Sequence, residues 1–283
     1  MRLLEENEIP KQLLEIPEPP KKLYIEGTLP EKGSIYLAVV GSRRITSYGR
    51  EVVEKLFAGL KGYPIIIVSG LALGTDAYAH EMALKYGLTT VAFPGSGIDP
   101  RVIAPSTNRL LAKRIVEAGG CLISEFEPMQ PAGLWTFPRR NRLMTGLARA
   151  VLITEAQDKS GTLITARLAV DYNRDVLVVP GSIFSQTSIG TNSLLRLGAT
   201  PITKSEDIIE ALGFSIDKSE QINREVKDCS PEEKEILEIL IEPMSRDDLV
   251  RMIDKPVSEA NSLLSIMEIK GLIKEEYGEI RRY

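Results

Sequence analysis

Between residues 34 and 213 the chain repeats one pattern: a short β-rich apolar run, a turn of small residues, then a helical stretch. The runs are 35–40, 65–68, 89–93, 121–124, 150–154 and 175–179. Within 48–60, Val52, Val53, Leu56, Phe57 and Leu60 recur at three- and four-residue spacing, which predicts an amphipathic helix. Strands that are apolar at almost every position must be covered on both faces. A parallel sheet flanked by helices meets that demand, so a doubly wound α/β domain is predicted over 34–213. Its last helix is expected at 206–212, just ahead of Gly213.

The flanks read differently. Residues 1–33 are rich in Pro and Glu, with Pro17, Pro19 and Pro20 preceding Leu23-Tyr24-Ile25. They predict an extended lead-in packed on the core, with room for one short strand. Residues 214–229 are polar and lack periodicity, as a linker does. Ser230-Pro231-Glu232-Glu233 then supplies an N-cap, Pro at the first helical position and early acids. Helices are expected at 232–241, 245–253 and 256–270, followed by Leu272-Ile273-Lys274 and a turn at Gly278. That order is the pattern of a small C-terminal winged-helix domain over 230–283. At the start, Met1-Arg2-Leu3-Leu4-Glu5-Glu6 brings acid where a signal peptide needs an apolar stretch. The most apolar runs, such as Ile65-Ile66-Ile67-Val68, are far short of a membrane span. A cytoplasmic protein with no membrane partner is expected.

Composition narrows the chemistry. With one His and two distant cysteines, Cys121 and Cys229, the chain cannot build a four-ligand Cys/His zinc site or a disulfide framework. No metal and no cofactor are expected. A His-based catalytic triad would rest on His80 alone, and an Asp76–His80 pair fixing a helix start is the favoured reading of that residue. The formal net charge of −4 argues, taken whole, against nucleic acid as a partner. The charge is unevenly spread, however. Basic and acidic residues number 5 and 7 in 1–33, 19 and 15 in 34–213, 3 and 4 in 214–229, and 8 and 13 in 230–283. The α/β domain is therefore basic and the C-terminal segment acidic. Glu259 and Glu268 lie between Lys255 and Lys270 in the third C-terminal helix region, which argues for protein contact or packing rather than groove binding.

In an open parallel sheet, ligands collect at the C-terminal ends of the strands. Here those ends lead into Gly41-Ser42-Arg43-Arg44, Ser69-Gly70, Pro94-Gly95-Ser96-Gly97, Ser124-Glu125, Glu155 with Ser160-Gly161-Thr162, and Pro180-Gly181-Ser182. Small residues let backbone N–H groups approach a ligand, and N–H groups at helix starts favour anions. The first loop is not G-x-G-x-x-G, the second strand ends in Ser69 rather than an acid, and no G-x-x-x-x-G-K-[ST] occurs. Dinucleotide and P-loop readings therefore fail. Thr136-Phe137-Pro138-Arg139-Arg140-Asn141-Arg142 places three arginines at a helix start, where the dipole disfavours them unless a negative partner is present. Residues 139 and 142 share a face while 140 points elsewhere. Glu125 and Glu155 are expected to organise arginines in the pocket rather than to act as acid and base.

Taken in order, these motifs resemble the bacterial DNA-processing protein A family (DprA, also called Smf). The resemblance is carried by Ala38-Val39-Val40-Gly41-Ser42-Arg43, by Ser69-Gly70-Leu71-Ala72-Leu73-Gly74-Thr75-Asp76 running on to Ala79-His80, and by Phe137-Pro138-Arg139-Arg140-Asn141-Arg142. Glu155-Ala156, Ser160-Gly161-Thr162-Leu163-Ile164-Thr165-Ala166 and Val179-Pro180-Gly181-Ser182 follow, so that it covers about residues 20–213. It implies an extended Rossmann-like fold and a non-enzymatic role: binding single-stranded DNA in a positive pocket, usually as a homodimer, and helping to load RecA, notably in natural transformation. The additional N-terminal helical domain of many members is not expected here. By motif position, Arg43 matches the pocket arginine, Gly41, Ser42, Ser69 and Gly70 its floor, and Arg140, Asn141 and Arg142 the Arg-Asn-Arg signature. Arg44, Gly95, Ser160, Gly161 and Thr162 complete the expected rim. One departure is Ala104-Pro105, where the family usually has Tyr-Pro before the Asn-x-x-Leu element, here Asn108-Arg109-Leu110-Leu111. Arg109, with Arg101, Lys113 and Arg114, is expected to supply phosphate contacts, and Phe93, Trp135 and Phe137 are the candidates for base stacking.

Two other classes compete with this reading. Some Rossmann-like nucleotide hydrolases, of the nucleoside monophosphate phosphoribohydrolase type, carry Gly-Thr-x-x-Glu after a Gly-rich turn. Here Gly161-Thr162-Leu163-Ile164 is followed by Thr165, so the catalytic acid is missing. The third class is a pure interaction module with a vestigial pocket.

Overall fold

The computed structural model describes residues 1–31, 33–215, 230–240, 243–253, 255–270, 272–276 and 278–282. Its described chain falls into two units, Met1–Ser215 and Ile216–Tyr283. The expected linker at 214–229 lies, apart from residues 214 and 215, outside the described residues.

In the first unit the apolar runs become parallel strands: β3 (Ile35–Val40), β4 (Ile65–Ser69), β5 (Thr90–Ala92), β6 (Cys121–Ser124), β7 (Ala150–Ile153) and β8 (Asp175–Val178). They belong to a nine-stranded sheet whose edges are completed by β1 (Arg2–Leu3), β2 (Tyr24–Gly27) and β9 (Thr200–Pro201). The order is β1-β2-β6-β5-β4-β3-β7-β8-β9. Only β1 and β2 run antiparallel to their neighbours, with Tyr24 opposite Ser124 and Gly27 opposite Cys121. Gly27 has φ +98°, and a Cβ there would collide with the Gly120 carbonyl, so the junction of lead-in and sheet requires glycine. Chain order runs outward from β3 through β4, β5 and β6, then returns to the other side of β3 with β7. The crevice at the C-terminal ends of β3 and β7 is the topological switch point, where such sheets bind ligands.

The helices follow the strands as the sequence predicts. α1 (Lys11–Leu14) sits in the lead-in, and α2 (Ser47–Leu60) starts where the Thr46 hydroxyl accepts from Gly49 N at 3.1 Å. Its Val53, Leu56, Phe57 and Leu60 are buried, which is the apolar stripe seen in the sequence. α3 (Thr75–Lys85), α4 (Arg109–Glu117), α5 (Thr136–Leu147), α6 (Gly161–Asp171), α7 (Ile189–Arg196) and α8 (Ser205–Ala211) complete the set. Alternate residues of each strand serve opposite faces. One face puts Ala38, Val40, Val68, Val91, Ile123, Val151 and Ile153 against Leu143, Met144 and Leu147 of α5 and Ala166 and Ala169 of α6.

The lead-in joins that same core through Leu4, Ile9, Leu13 and Ile16. It is therefore more ordered than an extended segment with one strand. Ile16 sits against Gly146 of α5, where a Cβ would come within 2.6 Å of it. Each fully buried aliphatic side chain of this kind contributes roughly 1.5–3 kcal/mol, enough to hold a segment that has little regular structure of its own.

The second unit contains α9 (Pro231–Ile239), β10 (Met244–Ser245), α10 (Arg246–Met252), α11 (Val257–Ile269), β11 (Ile273–Glu276) and β12 (Glu279–Arg282). Its antiparallel sheet has the order β10-β12-β11. α9 opens with the expected cap: Ser230 Oγ accepts from Glu233 N at 3.2 Å and Glu233 Oε2 accepts from Ser230 N at 2.8 Å. Ile236, Leu237, Leu249, Leu264, Met267, Ile273 and Ile280 form its separate core. No helix among the described residues is long and apolar enough to cross a membrane.

Candidate nucleic-acid interface

A cavity of about 530 Å³ opens at the switch point. The loop after β3 contributes Gly41, Ser42, Arg43 and Arg44, α5 contributes Phe137, Arg140 and Asn141, and the start of α6 contributes Ser160, Gly161 and Thr162. Asp76 at the start of α3 and Thr165 of α6 also line it. Gly41 is required by crowding: a Cβ there would lie 2.5 Å from Thr75 Oγ1 and 2.6 Å from Thr154 Oγ1. Gly74 adopts φ +77° and presses against the backbone of Ser42 and Arg43. α6 is capped by Ser160 Oγ, which accepts from Thr162 N at 3.2 Å, while Thr162 Oγ1 donates to the Gly41 carbonyl at 3.1 Å. The positive end of the α6 dipole thus faces the cavity beside the first loop.

The arginines of the cavity are held without carboxylate ion pairs among the described residues. Arg43 is exposed and lies over the Phe137 ring, 5.0 Å from its centroid. Phe137 in turn lies over Gly95, where a Cβ would come within 2.6 Å of the ring. Arg140 is buried, and its guanidinium donates to the carbonyls of Gly70 and Phe93 and, through Nε, to Asn141 Oδ1 at 2.9 Å. Asn141 Nδ2 donates to Thr165 Oγ1 at 3.1 Å. Burial pushes the Arg140 pKa down, Asp76 opposes that and Arg43 adds to it. The Asp76 carboxyl is pushed up by burial, against the pull of Arg140, the Ala72 and Gly70 amides and Arg43. An arginine stays charged at such a site, so the cavity keeps a fixed positive wall.

Of the residues expected from the sequence, Gly41, Ser42, Arg43, Arg44, Arg140, Asn141, Ser160, Gly161 and Thr162 meet at this cavity. The others are placed elsewhere. Ser69 Oγ is buried and donates to the Val39 carbonyl at 2.7 Å, tying β4 to β3. Gly70 gives Arg140 its carbonyl, and Gly95 makes room for Phe137. Arg109 donates to the carbonyls of Arg101 at 2.5 Å and Ile103 at 3.4 Å. It braces the loop before α4 instead of lining the cavity. Arg142 departs furthest from expectation: it is buried, paired with Glu125 and bonded to the Glu18 carbonyl of the lead-in. Arg139 approaches the same Glu125 at 3.4 Å. The shared face of 139 and 142 therefore meets Glu125, with Arg142 reaching on to the lead-in, and of the three arginines Arg140 is the one that lines the cavity.

Three further expectations change. Glu155 organises no arginine among the described residues; it accepts from Thr46 N at 3.1 Å, Thr46 Oγ1 at 2.5 Å and Thr187 Oγ1 at 3.2 Å. His80 pairs with Thr90 Oγ1 at 2.7 Å, not with Asp76, and burial lowers its pKa to about 3, so it is neutral. Among the aromatics, Phe93 is fully buried and Trp135 packs edge-on against Phe126 at 5.4 Å, leaving Phe137 as the ring at the cavity. Leu134 and Ile164, exposed at 91% and 47%, add apolar lining that charge and motif reading did not single out. Among the described residues no three His, Cys, Asp or Glu side chains gather as a metal site would need.

Comparison with known proteins bears on the same region. The profile of the family described as DNA recombination-mediator protein A matches residues 1–213. Protein Smf of Escherichia coli is 39% identical over 207 residues, covering 73% of this chain and 55% of that protein. The chain thus spans little more than half the length of that relative. DNA processing protein DprA of Streptococcus pneumoniae is 38% identical over 205 residues, covering 72% of this chain and 71% of that protein. A crystal structure of the pneumococcal protein superposes with a TM-score of 0.70 at 35% identity, covering 76% of this chain and 75% of that one. DNA processing protein A of Helicobacter pylori, in a structure concerned with its single-stranded DNA binding mode, gives a TM-score of 0.65 at 34% identity, covering 75% and 94%.

Proposed function

We propose that this chain, which belongs to the DNA recombination-mediator protein A family, is a non-catalytic recombination mediator that binds single-stranded DNA at the switch-point cavity. It protects the strand and helps to load RecA onto it, as in natural transformation. One observation carries the reading: Arg43, Arg44 and Arg140 meet the N-terminus of α6 at one cavity, where Asp76 is the single lining carboxyl and the cations are in excess. Such a wall suits a polyanion. The backbone phosphates of a flexible strand can follow a concave rim, and Phe137 offers a face to an unstacked base. Contacts of this kind position a strand without reading its sequence.

The RecA contact and a homodimer rest on family membership, and the C-terminal unit is read as a winged helix engaged in protein contact. The competing hydrolase reading needs an acid at position 165. The residue there is Thr165, whose hydroxyl accepts from Asn141. The test is threefold on one preparation: anisotropy with labelled dT oligomers, competition by duplex DNA, and base release from nucleoside monophosphates. The reading expects tight oligomer binding, weak duplex competition and no base release; turnover of nucleoside monophosphates would overturn it. A RecA-loading assay on oligomers coated with single-strand binding protein then tests the mediator step.

A further inference from the structure

The turn between β4 and α3 contains an unusual residue. Leu71 adopts φ +56° although it is not glycine, and its side chain is fully buried. The left-handed region is costly for a Cβ-bearing residue unless its surroundings hold it there. The other described non-glycine residue with positive φ is Asn173, a type that tolerates it. Leucine is present at 71 because its side chain belongs to a small core with Ile98, Ile103, Leu111 and Ile115. The backbone is held by different residues. Asn108, 8% exposed and immediately before α4, donates from Nδ2 to the carbonyls of Leu71 at 2.9 Å and Ala72 at 3.1 Å. Asp76 Oδ2 accepts from Ala72 N at 3.4 Å.

This turn touches two of the three cavity arginines, Arg140 and Arg43. The Gly70 carbonyl accepts from Arg140, and Thr75 N donates to the Ser42 carbonyl at 3.0 Å, one residue before Arg43. Gly74 presses on the Ser42 and Arg43 backbone. We propose that Asn108 is a positioning residue for the cavity, holding the left-handed Leu71 turn so that Gly70 anchors Arg140 and the 74–75 segment backs the Arg43 loop. Asn108 does not line the cavity; it acts through the turn. Without its two donors, Leu71 relaxes to negative φ, the Gly70 carbonyl swings off Arg140 and the Arg43 loop loses its support.

The proposal rests on the cavity being the single-stranded DNA site, and the experiment separates the two ideas. Affinity for labelled dT oligomers is measured across salt for wild type, Asn108→Ala and the double variant Leu71→Gly/Asn108→Ala, each with its melting temperature. Asn108→Ala is expected to weaken binding about tenfold and to flatten the log–log salt slope by about 0.7, one phosphate contact. Glycine accepts φ +56° without strain. The double variant is therefore expected to regain binding to within about threefold of wild type while melting lower than Asn108→Ala, because a buried leucine is gone. A merely structural role predicts the reverse, with affinity tracking melting temperature. Should Asn108→Ala not fold, Asn108→Leu and its Leu71→Gly double, which fill the space without donors, carry the same comparison. Wild-type affinity in Asn108→Ala, or a double variant that binds no better than the single one, overturns the proposal. Absence of binding by the wild type overturns the cavity reading as well.

Discussion

The C-terminal unit and the switch-point cavity treat their cations in opposite ways. In the C-terminal unit Arg246 pairs with Glu275 at 2.8 Å and Glu268 at 3.6 Å, Arg251 with Asp248 at 3.6 Å, Lys255 with Glu232 at 2.5 Å and Lys270 with Glu233 at 2.6 Å. At the switch-point cavity Arg43 lies on an aromatic ring and Arg140 is held by backbone carbonyls and an amide. Net charge alone does not separate the two arrangements, because the α/β unit also has cations committed internally, such as Arg142 to Glu125. The distinction is whether a guanidinium is already neutralised by a neighbour. A cation so neutralised has little left to give a phosphate, whereas the cavity sets Arg43, Arg44 and Arg140 against the single lining carboxyl of Asp76, so positive charge is left over for it.

The comparison can be broken most severely at Arg140. Arg140→Met leaves Asp76 buried without its opposing charge, and stability should fall by about 3–5 kcal/mol. Urea unfolding followed by Trp135, the only tryptophan of the chain, reports the α/β unit alone. A loss below about 1 kcal/mol would mean that the pair is not coupled as described.

Acid should divide the units next. The His80 pKa is depressed by burial from 6.5 to about 3, so its contribution to stability is complete above pH 6.5 and is lost as pH falls below it. The loss is about 1.4 kcal/mol per pH unit, or about 2 kcal/mol between pH 6.5 and 5. Asp76, with its raised pKa, acts in the opposite direction but is common to wild type and variant. His80→Asn should therefore flatten the Trp135-detected stability profile across that window. In the C-terminal unit, Lys270 holds the Glu233 carboxyl below 4.5, so that stabilisation is present above pH 4.5 and lost only below it. A wild-type profile as flat as that of the variant would contradict the buried, neutral histidine.

At the ligand itself, Arg43→Ala should weaken oligomer binding about tenfold, or 1.4 kcal/mol, equally for dT, dC and mixed sequences. A changed base preference would point to base reading in place of phosphate contact. The smallest effect belongs to the other unit. Lys270→Ala should cost about 0.5–1 kcal/mol of that unit's stability and leave oligomer affinity within about twofold. A larger drop in affinity would mean that the C-terminal unit grips the strand.

Local periodicity made much of this legible. Strand-length apolar runs between helical stripes specify the parallel sheet, and topology then places Gly41, Arg43 and Gly161 at one edge. Two-residue strands such as β1 and β9 carry no periodic signal, so of the lead-in's two strands only β2, at the apolar run from Leu23, was legible. Helical spacing separated Arg140 from Arg139 and Arg142. It could not say which face met the cavity, because that depends on Glu18 and Glu125, distant in sequence or on another element. His80 failed for the same reason: its partner is Thr90 on a neighbouring strand, not the residue one turn away. Arg109 read as a phosphate contact because its neighbours are basic, yet the nearby carbonyls of residues 101 and 103 hold it.

The central claim, a wall of arginines in excess over its one carboxyl that grips successive phosphates, is tested most directly by the salt dependence of dT-oligomer binding to the whole chain. For about three to five phosphate contacts the log–log slope should lie near −2 to −3.5, and should become shallower by about 0.7 in Arg43→Ala. A flat slope, or one that Arg43→Ala leaves unchanged, would contradict it.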